Sequence, residues 1–381
     1  MANSSLIRSL VFLFLATVVT LGLPSGSSAV EFVIVGPRAV GMGGAGVAVT
    51  TDSLATYWNP AGLAMTETVD IRVQASAQGI DRLGIRETLE DIDDINDNDI
   101  SAGNQARLQG LLNDLNGSSL STLAAIGLYF KGHWGEHTVG MNISDIGTGG
   151  SFSSTPLTAI VSGSRLDITG ELQVNFLEAR QIALSYAYAL FEKKIALGVT
   201  GKVIQGVAYK RGIDVDDSED SFDISDELKD SKKTTRLGLD IGALFHPISW
   251  LQIGIVGKDL NKPSFNAPGG GKFTLRRQVR GGVALIPFEA TTVTFDADLT
   301  KNKTLVSGIK SRVLSLGVEQ ALFNIVFLRA GVLKNVEDAQ SRVTPTAGLG
   351  LRLGAFQFDV GGGYDFDDRG ALGSFSLALT F

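Results

Sequence analysis

The sequence predicts an all-β chain: a transmembrane antiparallel β-barrel of about fourteen strands with an N-terminal hatch, or plug, segment. Three observations carry this. Apolar and polar residues alternate along many segments, the connections between those segments alternate long and short, and the 381 residues hold 46 glycines but only 9 prolines and no cysteine. Glycine weakens helices and suits turns and close backbone approaches. The absent cysteine excludes disulfides, thiolate metal sites, a cysteine nucleophile and a lipoprotein anchor. Lys and Arg number 33 against 40 Asp and Glu, a net charge of −7. No basic face for nucleic acid is implied.

The chain opens with the pattern of an export signal. Arg8 precedes the apolar run Leu10–Leu23, Pro24 ends it, and Ser27 and Ala29 offer small residues before a cleavage point between Ala29 and Val30. The run is shorter than the roughly 20 residues a spanning helix needs. Later in the chain no window is apolar enough for one. The expected division is a cleaved signal peptide at 1–29, a hatch at 30–68 and a barrel at 69–381. An exported chain without disulfides points to the envelope of a Gram-negative bacterium and, given the barrel, to its outer membrane.

From Val69 to Gln78 every odd position is apolar and every even one polar. Such alternation marks a strand whose two faces meet different surroundings. The pattern recurs at Leu237, Leu239, Ile241, Ala243 and Phe245, again at Leu349, Leu351 and Leu353, and in the last strand at Phe375, Leu377, Leu379 and Phe381. Strands are expected at 69–78, 121–130, 137–146, 176–190, 195–209, 234–245, 250–259, 277–287, 290–299, 311–319, 324–333, 345–353, 356–365 and 373–381. The short connections are 131–136, 191–194, 246–249, 288–289, 320–323 and 354–355. The long ones are 79–120, 147–175, 210–233, 260–276, 300–310, 334–344 and 366–372. Strict alternation of long and short is the mark of an outer-membrane barrel with short periplasmic turns and longer external loops. Trp134, Phe191, Phe245, Trp250, Phe288, Phe323 and Phe356 sit at or beside the short turns, as an aromatic girdle would. The terminal Phe381, closing an alternating strand, is similar to the signal read by the barrel-assembly machinery.

Residues 30–68 lack this alternation. Gly41, Gly43 and Gly46 spell G-x-G-x-x-G after Phe32–Val35, which imitates a dinucleotide fingerprint. The required context is missing: Pro37 interrupts the junction, and the β-branched stretch after Gly46 soon reaches Pro60, so no βαβ helix opens. A compact plug, with backbone packed on backbone, is the physical expectation. Asn59 before Pro60 suits a fixed turn.

The stretch GPRAVGMGGAGVAVTTDSLATYWNPAGLA resembles the N-terminal hatch of FadL-type outer-membrane proteins, a group that includes the PorV-like barrels. The matching residues are Arg38, Ala39, Gly41, Met42, Gly43, Gly44, Ala45, Ala48, Asn59, Pro60, Ala61 and Leu63. The resemblance implies a fourteen-stranded barrel, a hatch closing the periplasmic mouth, and passage of hydrophobic small molecules. The acidic, partly helical loop after VDIRVQASAQ is similar to a branch of the group, the TraF-type conjugal transfer proteins. Those transporters collect substrate on apolar external loops. Here the long loops carry acidic runs: Asp91, Asp93, Asp94, Asp97 and Asp99; Asp214, Asp216, Asp217, Glu219 and Asp220; Asp365, Asp367 and Asp368. This weighs against a fatty acid. The runs read as solvated, self-repelling loops rather than as cation bridges to lipopolysaccharide, because a glycine-centred calcium loop is missing. Gln105, Leu108, Leu111, Leu112 and Leu115 have helical spacing and suit a small lid helix.

No enzymatic constellation stands out. His133 and His137 are four apart, but in a hairpin rather than on a helix, and His246 falls at another turn. No metal or cofactor is implied. Asp70, Arg72, Lys202, Arg236, Asp240, Arg280, Asp296, Asp298, Glu319, Arg329, Arg352 and Asp359 fall on the inward face, where a web of salt bridges is expected, with a selectivity lining as the functional reading compatible with it. The expected function is FadL-like passage of hydrophobic small molecules across the outer membrane. The alternative is a non-transporting accessory barrel of a secretion or conjugal-transfer system. Expected partners are outer-membrane lipid and lipopolysaccharide, the barrel-assembly machinery, and either a hydrophobic ligand or components of such a system. A lateral gap and an apolar tunnel would favour transport; a sealed polar lumen would favour the accessory role.

Overall fold

A computed structural model describes residues 29–30, 32–82, 85–214, 233–267, 272–339, 341–366 and 370–381. Fourteen antiparallel strands close into one barrel. In chain order they are β1 (Asp70–Arg82), β2 (Ser119–Trp134), β3 (His137–Ser162), β4 (Arg165–Leu190), β5 (Ile195–Asp214), β6 (Thr234–Ile248), β7 (Leu251–Lys258), β8 (Gln278–Phe288), β9 (Thr291–Asp298), β10 (Val313–Leu322), β11 (Val326–Asn335), β12 (Thr344–Leu353), β13 (Phe356–Asp365) and β14 (Gly370–Thr380). The seam is β14 on β1, from Ala371↔Gly79 to Thr380↔Asp70. Val69 and Phe381 extend it by exchanging both backbone hydrogen bonds, at 2.7 and 3.0 Å. Closure leaves no open strand edge, so the wall satisfies its own backbone.

The burial pattern is that of a soluble protein turned inside out. Leu237 is 67% exposed, whereas Asp240, three residues on, is 2% exposed. The odd positions of β1 point outward and the even ones inward. This decides the question that alternation leaves open, because a soluble sandwich would bury the apolar face. No described helix is long and apolar enough to cross a membrane. Trp134, Phe191, Trp250, Phe288, Phe323 and Phe356 stand exposed around the short-turn end. Phe245 does not join them. It is buried, although it stays in register with Ile253, and the strand pairing shifts only after it, between Phe245 and Ile248.

The strand count agrees with the sequence, but several boundaries do not. The stretch 147–175, expected as a loop, continues β3 and β4 as a long hairpin arm that turns at Gly163 and Ser164. The hairpin between His133 and His137 has only Gly135 and Glu136 between its strands. Two helices fill the first long connection: α1 (Ile85–Asp93) and α2 (Ala102–Gly117). Ser101 caps α2 by accepting from the Asn104 amide. Its Leu108, Leu112 and Leu115 bury against Leu157 and Leu166 of the arm. The expected lid helix therefore packs on an extended hairpin. The acidic run from Asp216 to Asp220, Asp367, Asp368 and the segment 1–28 lie outside the described residues.

Candidate functional site

The candidate site is the lumen, because residues 32–66 thread it. The path begins at the long-loop end, where Ala29 and Val30 pair in parallel with Asn302 and Lys303. Pro37–Gly41 forms one helical turn with Pro at its start, where a missing N–H costs nothing. Gly43 and Gly44 then reverse the chain at φ +67 and +83. A second short helix, Ala55–Trp58, leads through Asn59 into a 3-10 turn, Pro60–Met65, near the short-turn end. The segment thus spans the lumen from end to end.

Backbone meets backbone along this path. A Cβ on Gly43 would lie 2.3 Å from the Val332 carbonyl oxygen, and one on Gly41 would lie 2.9 Å from the Gly348 Cα. Met42 is fully buried against Gly317 and Gly331, and Pro60 and Ala61 press on Gly198. Asn59 holds the turn from three directions. Its Oδ1 accepts from the Ala61 amide at 3.2 Å, and its Nδ2 donates to the carbonyls of Val47 and Ala243 at 3.1 and 3.2 Å. The Gly41, Gly43 and Gly46 stretch is no phosphate cradle. The Gly43 amide donates to Thr346 Oγ1, and the Gly46 and Val47 amides donate to Asp296 Oδ2.

Polar side chains of the wall do most of the gripping. Arg38 pairs with Glu319 and also donates to the Val49 carbonyl. Asp70 accepts from the amide and hydroxyl of Ser53. Lys131 donates to the carbonyls of Thr51 and Thr66, each at 2.8 Å. Arg280 donates to the Gly44 carbonyl at 2.9 Å. Within the plug, Tyr57 and Trp58 donate to the carbonyls of Val33 and Val35, both at 2.7 Å, and meet Phe32 edge-on and tilted, respectively. The Lys258 ammonium lies 3.2 Å from the Tyr57 ring centroid, a cation–π contact. Burial pushes the Tyr57 phenol well above its ordinary value. Asp259, in the loop after β7, is raised too, since burial outweighs the Lys202 ammonium beside it.

The inward charges form the expected web. Arg72 reaches Asp52, Asp70 and Asp359. Arg329 bridges Glu319 and Asp359, both at 2.7 Å, and Lys202 bridges Asp240 and Asp259 at 2.8 and 2.6 Å. Arg280 stands 3.7 and 3.6 Å from Asp296 and Asp298. Two residues expected in the web are not in it. Arg236 is exposed at the long-loop rim, where it donates to the Ser264 carbonyl, and Arg352 is exposed at the opposite rim on Gln357. Two that matter went unseen in the sequence: Lys131, one residue past the strand expected at 121–130 but inside β2, and Asp259, a left-handed loop residue at φ 51.

The lumen is shut. An inner cavity of about 60 Å3 lies between Tyr57, Lys202, Asp240 and Lys258, room for a few waters. Above it Phe265 and Leu305 pack with Leu177 and Ile204. Every neighbouring pair of strands in the wall is hydrogen-bonded. The histidines do not converge: His137 meets Tyr186 and Trp134, while His246 approaches the Ser249 carbonyl. Among the described residues no group of three or more acidic or histidine side chains is placed to hold a metal.

This closed wall around an in-lumen N-terminal plug is the fold of FadL-type channels. A Pseudomonas aeruginosa FadL homologue shares it at 11% identity and a TM-score of 0.56, over 93% of this chain and 99% of that one. The Ralstonia pickettii toluene transporter TbuX matches at 12% and 0.55, over 91% and 97%. The CymD monoaromatic hydrocarbon channel matches at 14% and 0.55, over 92% and 98%. Such identities speak for the fold alone. No curated protein matches the sequence. The family described as "F plasmid transfer operon, TraF, protein" matches residues 56–298, more than half of the chain. The chain belongs to that family.

Proposed function

We propose that this protein is a bacterial outer-membrane barrel that passes hydrophobic small molecules when its plug is displaced. One observation carries the reading: the wall's hydrogen-bond ladder is complete without residues 32–66. The plug contributes no strand to it and is held by side-chain bonds and close packing, so it can shift while the barrel stays shut to lipid. The short turns then face the periplasm and the helical lid the exterior. The hydrocarbon and toluene channels that share the fold support the direction of this reading.

A second reading is favoured by the family and by the plug-filled, polar lumen: an accessory barrel of a conjugal-transfer or secretion system that moves no solute itself. Uptake of labelled hydrophobic compounds by cells with and without the protein separates the two. Faster uptake with the protein, and faster still with Arg38→Ala, supports passage. Unchanged uptake across a broad panel, with mating efficiency falling on deletion, would overturn it in favour of the accessory role.

A further inference from the structure

The long-loop end opens into a cavity of about 900 Å3. Lys210, Lys272, Arg276, Lys303 and Lys310 line it, and among the described residues no Asp or Glu does. None of the five is ion-paired among the described residues. The contrast with the lumen below is sharp. There Lys202, Arg280 and Arg329 each sit beside two carboxylates. Lys303 and Lys310 even stand directly opposite each other across a short antiparallel pair, an arrangement that costs stability.

These cations are mounted on a fixed support. Asn175 Nδ2 donates to the Leu305 carbonyl at 2.6 Å, and Val306 is buried against Gly150, where a Cβ would come within 2.9 Å. Lys303 is also paired through its backbone with Val30. A volume of this order suits a small organic ligand.

We propose that this vestibule binds a small phosphate-bearing polyanion. A single carboxylate engages one or two cations and leaves the rest repelling one another, whereas several phosphate groups neutralise the set through charge-assisted hydrogen bonds. The shared chemistry is a cluster of phosphates, whether on a free solute or on the phosphorylated sugar head of a lipid. The proposal stands apart from the transport reading, since binding at the vestibule does not require the plug to move.

The test is calorimetric titration of tripolyphosphate into the full chain in detergent at low salt. Binding is expected, weakening as salt rises, with at least a tenfold loss in Lys303→Gln/Lys310→Gln. Lys193→Gln/Lys194→Gln, the same charge change at the opposite end, is expected to leave it intact. Heat-modified gel migration checks that each variant is folded. Lipid A in the same detergent separates the sources: displacement of tripolyphosphate assigns the site to a lipid head, and no displacement assigns it to a free anion. The proposal is overturned if tripolyphosphate does not bind, if both double variants bind it equally, or if octanoate binds as tightly as tripolyphosphate.

Discussion

Arg38 of the plug grips Glu319 of β10 through two parallel hydrogen bonds, Nε to Oε2 at 3.0 Å and Nη2 to Oε1 at 2.7 Å. Glu319 also accepts from Arg329 Nε at 2.7 Å, so one wall carboxylate joins the plug to the web beneath it. Planar, two-point pairing of this kind is specific to arginine. Breaking a buried pair typically costs about 3–5 kcal/mol. Arg38 is 26% exposed and Glu319 keeps Arg329, so Arg38→Ala is expected to cost about 1–3 kcal/mol. Limited proteolysis checks it: cleavage within 36–66 is expected to speed up while the wall stays intact. Arg38→Lys restores little of the protection. Equal cleavage rates in all three proteins would show that the plug is anchored elsewhere.

How much of this was legible in the sequence depends on which side chains meet which solvent. The wall was legible because its two faces differ, and Leu349, Leu351 and Leu353 announce that directly. The hairpin arm was not. Beyond the barrel both faces of Ser153–Thr155 meet water, so no period of two survives, although backbone pairing runs on to Ser162↔Arg165. Arg236 and Arg352 obey the alternation yet fall at the rims, because periodicity gives a face and not a depth. The plug was legible as a motif at Gly41–Gly44 and Asn59–Ala61. Its course along the lumen was not, since contacts such as Tyr57 to Val33 follow no local repeat. The basic cluster of the vestibule was hidden by the acidic totals of the long loops, which say nothing about which charges fold inward.

The conformation at Gly43 makes a sharp test of the plug's packing. Alanine there would sit at φ +67 with its Cβ 2.3 Å from the Val332 oxygen, both strained and overpacked, so a loss of about 2–4 kcal/mol is expected. Gly79→Ala, with nothing within 4 Å, is the matched control and is expected to be neutral. Urea titration of both variants in detergent reads the difference. Similar midpoints would mean that the plug is not seated against β11 as described.

Asn59 offers an isosteric probe. Asn59→Asp keeps the acceptor for the Ala61 amide but removes both donated bonds, to Val47 and Ala243, and places a carboxylate against two buried carbonyls. A loss of about 2–4 kcal/mol is expected from the two unsatisfied acceptors and the buried charge. Asn59→Ala, which adds no charge, is expected to lose less. The order of the two melting temperatures decides it, and Asp above Ala would refute the three-way bonding.

Tyr57 supplies the pH dependence. Its folded value is raised by burial, while in the unfolded chain a tyrosine titrates near about 10. A group raised on folding adds its full stability below the unfolded value and loses it as pH climbs toward the folded one. The barrel is therefore expected to hold its stability to about pH 10 and to weaken above that, in part through Tyr57. Tyr57→Phe loses the bond to Val33, about 1 kcal/mol at neutral pH, but its alkaline decline is expected to be shallower. Parallel declines in the two proteins would count against a buried, neutral phenol.

The outward face of the wall is tested at Leu184, six residues before the short-turn end of β4 and 64% exposed. On a water-soluble barrel, arginine at so open a position would be harmless. In a bilayer it must leave water or drag water with it, and on barrel strands near the midplane that costs about 2–4 kcal/mol. Leu184→Arg is therefore expected to fold into lipid vesicles with a urea midpoint well below that of the unmodified chain. The neighbouring Ser185, buried and hydrogen-bonded to Thr200, points into the lumen. Ser185→Thr changes the same stretch of strand without touching lipid, and its effect is expected to be the same in vesicles and in detergent micelles. The Leu184→Arg penalty is expected to grow with bilayer thickness, because a thicker hydrocarbon layer gives the long side chain less chance of reaching the interface. A penalty indifferent to the bilayer would mean that this face packs against protein rather than lipid.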